Sequence, residues 1–177
     1  EPAISCERDQ RIARMVRAGI AWVDARMSED GWAPYRAEWS IYIDGACVAE
    51  PQDGNPIKHH AELIAGQLDA LFVDKNGKFH LADWKFCGSK KLDKTSGEFR
   101  GVVPMGKGPL ANVPDNSYGH YLAQQSVYAY ILRVRYGISV ASSRLVHIPS
   151  DEEAPVAREV PLELLPDPII VQMFREA

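Results

Sequence analysis

The chain has little that would hold it together or anchor it from outside its own core. Its 177 residues include three cysteines, Cys6, Cys47 and Cys87, which are odd in number, far apart and never in a Cys-x-x-Cys pair. That argues against a disulfide framework, a zinc finger or a four-cysteine cluster. No apolar run approaches the about 18 residues needed to cross a bilayer, and Glu1 to Arg11 is polar, unlike a signal peptide. Repeats and low-complexity tracts are missing as well. Positive charge is in no surplus either: 20 Lys+Arg against 24 Asp+Glu leave a net charge of -4, so any nucleic-acid contact has to come from a local patch. These absences lead us to expect an intracellular protein with no membrane partner. A chain of this length can bury most of its apolar surface in one core, so residues 1–177 are expected to form a single domain. The start at Glu1 without Met and the helical-looking end from Ile169 to Ala177 suggest a domain cut from a longer protein, with flanking domains as further partners.

Periodicity supplies the elements. Ile12, Met15, Val16, Ile20, Val23 and Met27 recur at steps of three and four, which predicts an amphipathic helix over about Glu7 to Met27, closed by Gly31 and kept closed by Pro34. Arg36 to Ile43 alternates as a strand, with Ala37, Trp39, Ile41 and Ile43 on one side and Arg36, Glu38, Ser40 and Tyr42 on the other. The stretch from Glu50 to Pro56 reads as a loop. Leu63 to Val73 and Phe79 to Phe86 flank Asp74-Lys75-Asn76-Gly77, and Asn-Gly is a strong hairpin signal because both residues tolerate positive φ. A glycine- and proline-rich segment then runs from Cys87 to about Asn116. Between Phe86 and Leu110 it carries Lys90, Lys91, Lys94, Arg100 and Lys107 against Asp93 and Glu98, a net +3 inside an acidic chain, and it is expected to be a mobile basic insertion over 87–116. A second helix over Ser117 to Tyr136 ends at Gly137. Val140 to Ile148 and Val156 to Leu162 are β-like, the latter an edge strand because of Pro161. The order implies an α/β fold with a mixed central sheet flanked by helices.

Four charged residues interrupt apolar strands: Glu38, Asp69, Asp83 and Lys85. A carboxylate in a central strand costs several kcal/mol to desolvate unless it is paired or binds a cation. Asp83 and Lys85, two residues apart, share one face of their strand. A three-residue loop Lys75-Asn76-Gly77 sets Asp74 against Lys78 and Asp69 against Asp83, whereas a two-residue loop sets Asp69 against Trp84. The first register is the expected one, and two opposed carboxylates make sense chiefly with a cation between them. Oxygen ligands of this kind suit Mg²⁺ or Mn²⁺, and a metal with two acids and a lysine can support in-line hydrolysis of a phosphodiester. The competing reading of Asp-x-Lys alone is a structural salt bridge. His80, His120 and His147 read as packing positions, and His59 and His60 as surface or substrate-side residues.

Taken together, Glu38, Gly66 to Asp69, Asp83-Trp84-Lys85 and Gln124 to Tyr128 resemble, in order, the motifs of the PD-(D/E)XK nuclease superfamily. The resemblance is to its RecB-like branch, which includes RecB and AddB nuclease domains, CRISPR-associated exonucleases and the mitochondrial genome-maintenance exonuclease. It runs from the first helix to about Ile148, with Leu68 standing where the family name has Pro. It implies a restriction-endonuclease-like fold and Mg²⁺- or Mn²⁺-dependent hydrolysis of DNA in repair or replication. Asp69 and Asp83 would be metal ligands, Glu38 a further ligand and Lys85 the water-activating lysine. Gln124 and Tyr128 would support the site or touch DNA, and Lys90, Lys91 and Lys94 would track its backbone. Some relatives carry a four-cysteine iron-sulfur cluster, which three scattered cysteines cannot ligate; others use a first-helix histidine as a ligand, and Glu7 to Met27 has none. Two alternatives remain: a catalytically silent nucleic-acid-binding module of this fold, and an RNA-cleaving nuclease.

Overall fold

The computed structural model describes residues 6–44, 63–88, 92–94, 97 and 102–176. The elements run α1 (Glu7–Glu29), β1 (Ala33–Asp44), β2 (Leu63–Val73), β3 (Phe79–Cys87), α2 (Ser117–Tyr136), β4 (Val140–Pro149), β5 (Arg158–Leu162) and α3 (Asp167–Glu176). The five strands form one mixed sheet in the order β1-β2-β3-β4-β5. All neighbours are antiparallel except β3 and β4, which are parallel and joined through α2. A parallel pair needs such a crossover, and α2 lies on the sheet as a result. Among the described residues no helix is long and apolar enough to cross a membrane.

Strand alternation sends successive side chains to two different cores. Leu81 joins Ile41, Ile43, Leu71, Tyr128, Ile131 and Leu132 beneath α2 and α3. Its neighbour Ala82 joins Ala70, Phe72, Val146 and Trp22 beneath α1. The sheet is therefore covered on both faces, the mixed α/β arrangement that the order of elements implies and the restriction-endonuclease-like fold that the resemblance implies. Helix α2 is bounded by its own chemistry. The Asn116 side chain accepts from the Gly119 N–H at the start, and Gly137 takes the left-handed conformation (φ 69°) at the end.

Part of the 87–116 segment is described, and that part packs on the domain. Leu92 is buried with Val113, Tyr118 and Leu122, Met105 bridges Pro114, and Gly108–Leu110 forms a 3₁₀ turn. An added Cβ at Gly106 would meet the Leu110 carbonyl oxygen at 2.6 Å, and Pro109 lies in the 3₁₀ turn, so both serve one close turn. Lys90 and Lys91 lie outside the described residues, as do the 50–56 loop, His59 and His60.

The histidines diverge from one another. His120 is not a packing residue: its side chain is exposed and 2.9 Å from Asp115. His147 is buried, 3.1 Å from the Cys87 carbonyl. His80 stacks on Trp32 at 4.2 Å, with Nδ1 2.8 Å from Ser142 Oγ and Asp74 3.5 Å from Nε2. Burial pushes the His80 imidazole below its ordinary value of 6.5, Arg144 pushes it the same way, and Asp74 only partly opposes them. The unfolded chain thus binds a proton that the folded one resists. Stability from this group is complete above pH 6.5 and is lost as the pH falls through the depressed folded value. Urea midpoints at pH 7.5, 6.5 and 5.5 are expected to fall, and His80→Gln to flatten that fall; an equal slope in the variant would exclude His80 as its cause.

Candidate active site

The hairpin between β2 and β3 fixes the site. Asp74 N–H donates to the Lys78 carbonyl, and Gly77 N–H, with φ 76° at Gly77, donates to the Asp74 carbonyl, both at 2.9 Å. The Asp74 carboxylate accepts from the N–H groups of Asn76 and Lys78 at 2.8 and 2.9 Å. This is the three-residue loop, and it pairs Val73 with Phe79 through Ala70 with Ala82. The ladder stops there, although β2 starts at Leu63 and β3 runs to Cys87. From that point β2 pairs with β1 alone and β3 with β4 alone, so the two central strands part like a fork.

Asp69 and Asp83 are the next residues on the two prongs. The Asp69 carboxylate accepts the Trp84 N–H at 2.8 Å, so a side chain satisfies a donor that the parting strands would leave without a backbone partner. Asp83 is 3% exposed. Its Oδ1 accepts from Gln125 Nε2 at 3.1 Å, and its Oδ2 forms an ion pair with Lys85. The Lys85 ammonium also sits 4.1 Å above the Tyr121 ring. Burial raises the Asp83 carboxyl above its ordinary 3.8; Lys85 pulls it back, Asp69 adds to the rise and Gln125 opposes it. Burial, with Asp69 nearby, thus makes the charged form of Asp83 costly in spite of its cation.

Glu38 is not drawn into this group. Ala37 pairs with Ala70 and Trp39 with Leu68, so Glu38 stands level with Asp69 in the backbone, but its carboxylate accepts from Gln67 Nε2 at 3.0 Å. Among the described residues no three His, Cys, Asp or Glu side chains gather as a metal site. Glu38 also has φ 48°, the one positive value among the described non-glycine residues. That conformation costs a side-chain-bearing residue about 1–2 kcal/mol and breaks the simple alternation expected for Arg36 to Ile43. Glu38→Gly relieves it, and melting is expected to show stability unchanged or higher by up to about 1 kcal/mol. A variant that melts well below the parent would show that φ 48° carries no strain.

The other motif residues fall into two groups. Gln124 is exposed and donates to the Tyr128 hydroxyl at 3.1 Å. Tyr128 lies over Gly66, where an added Cβ would meet Tyr128 Cε1 at 2.3 Å, so the glycine of Gly-x-x-Asp gives room to the aromatic ring. Lys94 lies 5.2 Å from the centre of the Tyr118 ring, and Asn116 donates to its carbonyl at 2.9 Å. Sequence reasoning missed Gln125, which is 0% exposed and touches Asp83 directly. The available signal was its phase: it lies three residues after Leu122 and seven after Tyr118, on the buried stripe of α2.

The donor set can be tested against a divalent cation. Among the described residues, Asp83 Oδ2 has the Lys85 ammonium as its partner and no hydrogen bond. Two carboxylates at an open fork fit a hard cation such as Mg²⁺, which is bound through one or two carboxylates and keeps several waters. Glu38 would be a third ligand only after leaving Gln67.

No family model matches the chain, and no curated protein matches it. Solved structures do. A protein from Eubacterium rectale, named as a candidate exonuclease, superposes with a TM-score of 0.52 at 13% identity over 99% of this chain. The protein SSO0001 gives 0.45 at 16% identity over 93%. The chain spans 55% and 57% of the lengths of those two proteins. At these identities the first likeness establishes the shared fold.

Proposed function

We propose that this chain is a metal-dependent nuclease domain that hydrolyses DNA phosphodiester bonds, of the RecB-like PD-(D/E)XK kind with a Gln-x-x-x-Tyr helix. The observation that carries this reading is the fork between β2 and β3, where Asp69, Asp83 and Lys85 meet at the end of a shared ladder. The name of the Eubacterium rectale neighbour points the same way. Asp69 and Asp83 would hold Mg²⁺ or Mn²⁺. When bound, the metal polarises the phosphoryl group and stabilises the leaving oxyanion.

The chain's own residues do the rest. Gln125 holds Asp83 Oδ1 so that Oδ2 faces the fork, and a fixed ligand keeps its geometry through turnover. Lys85 is shared between Asp83 and the Tyr121 face. From there its ammonium can orient the attacking water and offset charge building on phosphorus. Tyr128, through Gly66, fixes how β2 presents Asp69. DNA is the proposed partner; Lys90 and Lys91 are proposed to follow its backbone, joined by Lys94 when it leaves Tyr118.

The separation of Glu38 from the fork favours a second reading, a silent module that binds nucleic acid without cutting it. Matched DNA and RNA strands incubated with Mg²⁺ separate the readings. Cleavage of DNA supports the proposal. Binding without cleavage supports the silent module, and cleavage of RNA alone an RNA nuclease.

A further inference from the structure

On the face of the sheet away from the fork, α1 leaves an apolar stripe uncovered. Val16, Ile20 and Phe86 are 49%, 55% and 52% exposed. With Gly19, Val23, Asp24 and Trp84 they line a groove of about 330 Å³ between α1 and β3. Single exposed apolar residues are ordinary, whereas several that line one groove leave a surface a partner can cover.

The charges beside the stripe identify what fits it. Arg17 and Asp24 are both exposed, and neither forms an ion pair among the described residues. Seven residues apart, they lie two turns from each other on one side of the helix. Their midpoint falls between Ile20 and Ala21, and Ile20 is the most exposed of the three apolar residues above. A surface with one cation and one anion placed symmetrically about an apolar centre is complementary to itself after a twofold rotation. The carboxylate of Asp24 on the groove wall meanwhile disfavours a phosphate backbone there.

The geometry points to a second copy of this chain as the occupant, with the two α1 helices packed antiparallel about Ile20. Arg17 of each copy then meets Asp24 of the other, so one ion pair forms twice. Phe86 closes the edge of the contact. This contact lies on the opposite face of the sheet from Lys85 and leaves the fork open.

Sedimentation equilibrium of the chain from about 1 to 200 μM tests this. The expected result is a mass approaching two chains at the upper end, and one chain throughout for Ile20→Glu. Arg17→Glu and Asp24→Lys, each setting like charges together at two places, are expected to weaken association at least about tenfold. The double variant Arg17→Glu/Asp24→Lys is expected to return to within about threefold of the parent. All three positions are exposed, and circular dichroism checks that each variant is folded. A chain of monomer mass across the range overturns the proposal. So does a dimer that survives Ile20→Glu, a double variant no better than the single ones, or a larger species that forms only when DNA is added.

Discussion

Lys85→Met is expected to lower DNA cleavage about 10³-fold while costing roughly 3 kcal/mol of stability. Both effects have the same source. Among the described residues the ammonium is the one partner of a buried carboxylate oxygen, so its loss strands the charge on Asp83 as well as removing the group proposed to orient the attacking water. Lower activity alone would then be ambiguous. The double variant Lys85→Met/Asp83→Asn resolves this, because replacing both members of a buried pair by uncharged groups of similar size is often neutral or stabilising. It is expected to melt at or above the parent temperature and to cut no DNA. Urea denaturation with a cleavage time course checks both parts, and a stable double variant that still cuts would remove Asp83 and Lys85 from the chemistry.

Gly66→Ala is expected to destabilise the fold by about 3 kcal/mol, an overpacking cost at the upper end of the usual range. The added methyl meets Tyr128 Cε1 at 2.3 Å and its hydroxyl at 2.9 Å. The ring cannot simply swing aside. Tyr128 belongs to the main core with Ile41, Leu68 and Ile131, and its hydroxyl is held by Gln124. For a domain of this size the cost corresponds to a fall of about 6–12 °C in Tm. Since the clash is with one side chain, Gly66→Ala should cost much less in a Tyr128→Ala background. A double-mutant cycle is expected to give a coupling of at least about 1 kcal/mol. Additive effects would mean that glycine is needed here for another reason.

How far the sequence could be read depends on which force sets each feature. The β2–β3 hairpin was legible because local chemistry determines it: Asp74 caps the turn and Gly77 supplies the positive φ. Helix α2 was legible to the residue for the same reason, through Asn116 and Gly137. The fork was legible as a register, Asp69 against Asp83, but not as a parting of strands, because the divergence depends on which partner each strand finds in β1 and β4. The conformation of Glu38 was illegible. Alternation of Ala37, Trp39, Ile41 and Ile43 predicts a regular strand, and nothing local signals a glutamate at φ 48°. Adjacent glutamines hid the contact with the site. Gln124 fits the motif spacing, yet helical phase buries Gln125 beside Asp83 and turns Gln124 to the surface.

The nuclease reading is tested most directly by a time course of this chain on end-labelled single- and double-stranded DNA with Mg²⁺, with Mn²⁺ and with EDTA. The account predicts cleavage with either metal, none with EDTA, and recovery when Mg²⁺ is restored in excess. Cleavage that continues unchanged in EDTA, or DNA left intact under all three conditions, would contradict it.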